Sequence, residues 1–215
     1  MPKGSEALTT ARKEEIVNAC AALYETMSFK EITLKEIGQK TSFTRTSIYN
    51  YFQTKEEIFL ALLQREHEAW TADLTAIFQG NDSLSAAAFA DALGHTLEKR
   101  EAMLRLESMN LYDIEGSSRM ENLVAFKVVY AGAMRSVACC LEKFFPAMSP
   151  DEIQDFLYAF FPFLFGVYPY AVPTKKQRTA MELAHVDYAR TSIYEITRSF
   201  VVRLLHSFEK PDTLS

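Results

Sequence analysis

An all-α fold is what this chain of 215 residues predicts, and three observations carry that reading. With 48% hydrophobic residues but only 7 Gly and 7 Pro, the chain has a sizeable core and too few breakers for an all-β protein. No proline occurs between Pro2 and Pro146, so long helices run unobstructed through the first two thirds. Apolar residues recur at helical spacing, beginning with Ile16, Cys20, Leu23, Tyr24 and Met27, which marks one buried helix face.

That first helix, Thr10 to Met27, carries Arg12, Lys13, Glu14 and Glu15 in its early turns and reads as a support whose charges are solvated. The second opens at Thr33-Leu34-Lys35-Glu36, a capping box in which the Thr hydroxyl accepts from a backbone N–H and the Glu reaches back. It ends at Thr41-Ser42. Thr44 then caps a third helix, with Phe43 placed to staple against Ile48. Ile48 and Phe52, spaced i and i+4, point inward, leaving Arg45, Thr46, Tyr49 and Asn50 on the opposite face.

From Ile37 to Lys55 there is no acid, while Lys40, Arg45 and Lys55 are present in a chain of net charge −5. The overall charge excludes a protein that coats nucleic acid nonspecifically. The local window reads as a focused, DNA-reading helix-turn-helix. Thr54-Lys55-Glu56-Glu57 opens the next helix with another capping box and sets a cation at the positive end of its dipole. Docked phosphate would make that lysine useful; the other reading is a solvated lysine offset by Glu56 and Glu57.

Beyond the head, an unbroken helix from Lys55 through Trp70 and Leu74 to Phe78 reads as a lever, ended by Gln79-Gly80-Asn81-Asp82. The remainder predicts a bundle with helices at about 84–98, 101–113, 119–145, 150–168 and 193–208. Capping boxes mark Ser118 with Glu121, Ser149 with Glu152, and Ser192 with Glu195. Phe156 to Val172 has no charge but contains Pro162, Gly166 and Pro169; it is shorter than the roughly 20 residues of a membrane span, so it predicts a buried helix kinked at Pro162. The domain boundary falls after residue 55: a head at 1–55, and a regulatory domain for ligand binding and dimerisation at 56–215.

Residues Ala11 to Phe59, and most tightly Thr44-Arg-Thr-Ser-Ile-Tyr-Asn-Tyr-Phe-Gln-Thr-Lys-Glu-Glu-Ile-Phe59, resemble the helix-turn-helix head of the tetracycline-repressor (TetR) family. Ile37-Gly38, Tyr49 with Tyr51-Phe52, and Thr54-Lys55-Glu56 meet the family pattern. Three positions depart from it: Ser42 stands where the turn often has Gly, Gly38 where Ala is common, and Thr46 where a small residue is common. A serine held in a left-handed turn costs about 1 kcal/mol. The resemblance implies a repressor that binds a palindromic operator as a homodimer and is released by a small apolar or aromatic effector.

Carried onto this sequence, the DNA-binding set is Thr33, Thr44, Arg45, Thr46, Ser47, Tyr49, Asn50, Tyr51 and Lys55, with Arg45 reading bases and Lys55 and Tyr49 on phosphate. The regulatory domain is rich in aromatic and Met side chains with polar groups among them, the composition of a ligand pocket and equally of a core. The effector set is His95, Met103, Glu107, Asn110, Phe126, Tyr130, Met134 and Tyr168. The last helix carries a stripe wider than one neighbour requires. The resemblance therefore puts a four-helix dimer interface on the last two long helices, with Phe156, Phe160, Ile193, Phe200, Val201, Leu204 and Phe208; the other reading is that the stripe closes the subunit core.

Enzymatic constellations are absent. His67, His95, His185 and His206 form no catalytic or metal-binding pattern, HExxH and Gly-rich phosphate loops are missing, and the single Glu182 to His185 spacing stands alone. No catalytic residue, metal ligand or cofactor is expected. Cys20, Cys139 and Cys140 fit neither a disulfide framework nor a metal pattern and read as core thiols. The first residues lack the apolar stretch of a secretory signal, which predicts a cytoplasmic protein without a membrane partner. The alternative function is an apolar-ligand carrier, or an enzyme, on a helical bundle with a vestigial head.

Overall fold

The computed structural model describes residues 3–42, 44–188 and 191–208. Among these residues there are ten α-helices and no strand. They are α1 (Lys3–Tyr24), α2 (Leu34–Gln39), α3 (Arg45–Ile48), α4 (Lys55–Gly80), α5 (Ala86–Glu98), α6 (Glu101–Met109), α7 (Met120–Phe144), α8 (Pro150–Ala171), α9 (Lys175–Leu183) and α10 (Ile193–His206). A π-helical turn, Asn110–Ile114, and a 3-10 turn, Glu115–Ser117, join α6 to α7.

Local signals set most of these boundaries. Ser149 caps α8 and Ser192 caps α10 in full capping boxes, with Pro150 at the first position of α8, where its missing N–H costs nothing. Ser118 behaves otherwise: its hydroxyl donates to the Ile114 carbonyl at 2.9 Å. The helix expected over 101–113 ends at Met109, and its last turns widen into the π segment. α8 continues through Pro162 and Pro169 to Ala171, and the sharp change of direction, 75°, comes between α8 and α9.

Two compact units result: Met1–Glu66 with Met109–Val129, and His67–Ser108 with Tyr130–Ser215. α4 and α7 each contribute to both. The first unit is built on Ile16, Cys20, Tyr24, Ile32, Ile37, Ile48, Phe52, Ile58 and Phe59, all buried. Burying each large apolar side chain contributes about 1.5–3 kcal/mol, and the Phe59 ring adds an edge contact to Tyr24 at 5.2 Å.

In the second unit α10 packs on α5 and α8, turning Ile193, Thr197, Val201 and Leu205 inward. Gly94 of α5 permits that approach, because a Cβ there would meet the Tyr194 ring at 3.0 Å and its carbonyl oxygen at 3.3 Å.

Candidate DNA-reading head and regulatory core

The head is assembled from its caps outward. Thr33 precedes α2 with extended backbone and accepts from the Lys35 N–H at 3.2 Å, while its hydroxyl donates to the Glu36 carboxylate. α2 ends where the Thr41 hydroxyl donates to the Gly38 carbonyl at 3.0 Å. The turn that follows is not left-handed at Ser42: among the described residues His185 is the single non-glycine residue with positive φ, 51°. No backbone strain is stored at Ser42, and the penalty anticipated there does not arise. Glu15 of α1 instead accepts from both the Ser42 N–H, at 2.5 Å, and its hydroxyl, at 3.1 Å.

α3 is a single turn, prolonged by hydrogen bonds from the Tyr51 and Phe52 N–H groups to the Ile48 carbonyl at 2.9 and 3.0 Å. Thr44, Thr46 and Asn50 are exposed, Tyr49 is 46% exposed, and Ser47 and Tyr51 are half-buried. The Thr44 hydroxyl lies 3.1 Å from the Ser47 hydroxyl and makes no capping bond to the helix. Phe43, and with it the staple to Ile48, lies outside the described residues, as does the side chain of Arg45.

Lys55 turns inward onto the α1–α2 connection. Its ammonium donates to the carbonyls of Phe29, at 2.8 Å, and Ile32, at 3.3 Å, and sits 4.1 Å from the centroid of the Phe29 ring. A cation at the start of α4 is thus satisfied by the orphan carbonyls of the α1–α2 connection, with a cation–π contact added.

Next to it, Glu57 is only 1% exposed yet is fully engaged. It accepts from the Gln53 N–H at 2.8 Å, from the Arg119 N–H at 3.1 Å, and from the Arg119 guanidinium at 2.6 Å (Nε) and 3.0 Å (Nη2). Burial pushes the Glu57 carboxyl up, but these hydrogen bonds and the guanidinium charge more than offset it and hold the group below its ordinary value. Arg119 Nη2 also reaches the Tyr51 carbonyl at 3.5 Å, and the Thr54 hydroxyl donates to the Ser117 carbonyl at 3.2 Å. The corner between α6 and α7 is therefore bolted to the residues that end the recognition segment. Within the corner, buried Asn110 donates to Glu115 at 2.9 Å, and Lys127 pairs with the same carboxylate at 2.7 Å.

In the second unit, His67 and Glu107 form a pair at 2.6 Å with 0% and 1% of their side chains exposed. Tyr130 lies edge-on to the His67 ring at 5.5 Å, and Phe161 lies edge-on to Tyr130 at 5.3 Å. Trp70 donates to buried Thr96 at 3.0 Å. Met103 is buried, and half-buried Met134 lines an open groove of about 660 Å³ between α7 and α8, together with Ala138, Ile153 and Leu157. Burial pushes the Tyr168 phenol up, while nearby Arg105 pulls it down. Phe126 and Asn110 are buried in the first unit. His95 is 54% exposed, stacked on Tyr194 at 4.4 Å, and flanked by Asp91 and Glu98.

Phe156, Phe160, Ile193 and Val201 are buried within their own unit, so they have almost no surface left for a partner and instead back the helices from inside. Phe200, stacked on Phe163 at 4.3 Å, is half-buried, as are Leu204 and Phe208. On α8 the exposed large side chains are Tyr158 and Tyr170.

Residues 16–62 match the family described as bacterial regulatory proteins of the tetR family, and residues 64–206 match the tetracyclin repressor-like C-terminal domain. The chain belongs to the TetR family. It is a DNA-binding transcriptional regulator of the class that acts on operator DNA as a dimer. No curated protein matches it.

Among solved structures, it is similar to the fatty acid degradation regulator FadR from Bacillus halodurans: 13% identity over 89% of this chain and 94% of that one, TM-score 0.56. The multidrug binding protein EbrR complexed with imidazole gives 16% identity over 95% and 98%, TM-score 0.57. FadR from Bacillus subtilis in complex with stearoyl-CoA gives 14% over 92% and 99%, TM-score 0.57. At such identities the likeness is one of fold.

Three side chains that brace this TetR-family head escaped sequence reasoning: Glu15, Glu57 and Arg119. Glu57 sat inside a capping box and Glu15 on a charged helix turn, so each had a sufficient local explanation. The one available signal was Arg119 at the start of α7, a cation at the positive end of a helix, which calls for an acceptor nearby. Of the cysteines expected in the core, Cys20 and Cys140 are buried and Cys139 is half-buried. Burial pushes the Cys20 thiol up to about 12 and that of Cys140 up to about 11, far from the thiolate character that redox sensing requires.

Proposed function

We propose that this regulator is a repressor released by a small apolar or aromatic effector, with residues 1–55 as its DNA-reading head and residues 56–215 as its regulatory and dimerisation domain. The observation that carries the reading is the head itself. An exposed face of Thr46, Tyr49 and Asn50, without an acid from Ile37 to Lys55, is presented by supports that are all hydrogen-bonded. Arg45 at the first position of α3 reads base edges and Tyr49 holds phosphate.

An effector acts by preferring one of two head arrangements, and the coupling amounts to about 1–3 kcal/mol. Two routes carry it. One is α4, which runs from the Thr54 turn to Gly80; the other is the corner from Asn110 to Arg119, held to α4 by Glu57. The aromatic interior around His67, Glu107 and Tyr130 supports an apolar or aromatic effector, and the long acyl chain of the stearoyl-CoA bound to one of the similar proteins is in keeping with the apolar part of that reading. The dimer forms through the outward faces of α8 and α10, with Phe200, Leu204 and Phe208 joined by Tyr158. The protein works in the cytoplasm without catalysis, and no observation favours the carrier or enzyme reading.

The test is selection of duplexes from a randomised pool. A palindrome with half-sites about 34–36 Å apart, or a multiple of that, is the expected product, bound with an affinity that falls steeply with salt. Arg45→Ala should relax its sequence preference and cost about 1–3 kcal/mol. Failure to select any duplex at low salt would overturn the reading.

A further inference from the structure

We propose that Glu15 is a positioning residue for operator recognition, a carboxylate on the supporting helix that sets the turn ahead of the recognition helix. The inference rests on the DNA-binding reading above and deepens it.

A turn between two helices this short leaves backbone donors without helical partners, and a left-handed residue is one way to satisfy them. Ser42 uses another. Its N–H and its hydroxyl both go to the two oxygens of one carboxylate 27 residues earlier in the chain. Arg12, one turn before Glu15 on α1, donates to the same hydroxyl at 3.2 Å. The Ser42 bonds hold the Glu15 carboxyl below its ordinary range, with Arg12 adding a smaller pull in the same direction, so the clamp is ionised at neutral pH.

An acid beside a surface that meets phosphate works against binding. Glu15 is an acid brought onto a segment that has none of its own from Ile37 to Lys55, and its geometry supplies the compensation. Two charge-assisted hydrogen bonds on one residue fix where α3 begins, and misplacement of a reading helix is felt at base edges before it is felt at phosphates. The two accounts of Glu15 therefore predict opposite signs on its removal.

The experiment measures binding of wild type, Glu15→Ala, Glu15→Gln and Ser42→Ala to two duplexes: the palindrome selected by the wild-type protein, and a scrambled duplex of equal composition. Glu15→Ala should lose about tenfold or more on the palindrome, with no loss on the scrambled duplex and an unchanged salt slope. Glu15→Gln, which keeps one acceptor, and Ser42→Ala, which keeps the N–H bond, should fall between. Equal or tighter binding of the palindrome by Glu15→Ala overturns the proposal, as does an equal loss on both duplexes. Thermal melts followed by circular dichroism establish that each variant is folded; if Glu15→Ala is not, the same comparison with Glu15→Gln decides. A wild-type protein that selects no duplex overturns the regulator reading itself, and this inference with it.

Discussion

Among the described residues each compact unit contains one nearly sealed carboxylate, and the two are partnered in opposite ways. Glu57 in the first unit meets a guanidinium that still reaches water, with 34% of the Arg119 side chain exposed, and it collects backbone N–H groups besides. Glu107 in the second unit meets an imidazole as buried as itself, walled by Tyr130 and Trp70. The Glu57 pair joins segments 62 residues apart, a helix start and an irregular corner. The Glu107 pair joins two helices inside a core. A pair at an edge transmits position between segments, whereas a sealed pair fixes a core, since water cannot take the place of a bond broken there.

The comparison predicts its largest effect at the sealed pair. His67→Ala should destabilise the protein by about 3–5 kcal/mol, because it removes the 2.6 Å bond to a carboxylate that is only 1% exposed, whereas His67→Phe combined with Glu107→Leu should recover most of that loss. Urea midpoints at constant m-value check both. A His67→Ala protein as stable as wild type would place the two carboxylates in one class.

At the edge pair the effect should appear in function more than in stability. Arg119→Met should lower operator affinity by about tenfold, the scale of one lost charge-assisted interaction, with a smaller shift in urea midpoint than His67→Ala. Equal loss of stability in the two variants would erase the distinction drawn here.

Acid sharpens it further. The Glu57 carboxyl is held below its ordinary value of 4.5, and a group with a depressed folded pKa contributes stability that is present above the unfolded value and lost as pH falls through the folded one. The stability difference between wild type and Glu57→Gln should therefore be constant above pH 4.5 and shrink below it. Denaturation series at pH 7, 5, 4 and 3 measure this; a gap that widens toward acid contradicts the sign.

The smallest effect concerns Lys55. Because its ammonium is bound to the Phe29 and Ile32 carbonyls, Lys55→Met should leave the slope of log affinity against log salt unchanged. A phosphate contact would reduce that slope by about one unit.

Much of this was legible in the sequence because it is local. The caps at Thr33, Ser149 and Ser192 lie three residues from their partners, and the inward faces of the head follow from i, i+4 spacing. What the sequence does not carry is long-range. A cation at the start of α4 invites a phosphate on dipole grounds, and only the fold brings two carbonyls from 26 and 23 residues away to answer it. The α10 stripe was read correctly as apolar, but periodicity does not tell how many neighbours share a stripe, and α5 takes most of it. α9 was missed because Lys175–Leu183 buries nothing and so has no stripe to read; its capping box at Thr174 and Gln177 was the remaining signal.

The most direct test of the central claim, that the α6–α7 corner positions the head through Glu57 and Arg119, removes both charges at once so that no buried carboxylate is left alone. Glu57→Gln with Arg119→Met should stay folded and dimeric by circular dichroism and sedimentation, yet bind the selected palindrome about tenfold more weakly than wild type. A folded double variant that binds that palindrome with wild-type affinity would contradict the account.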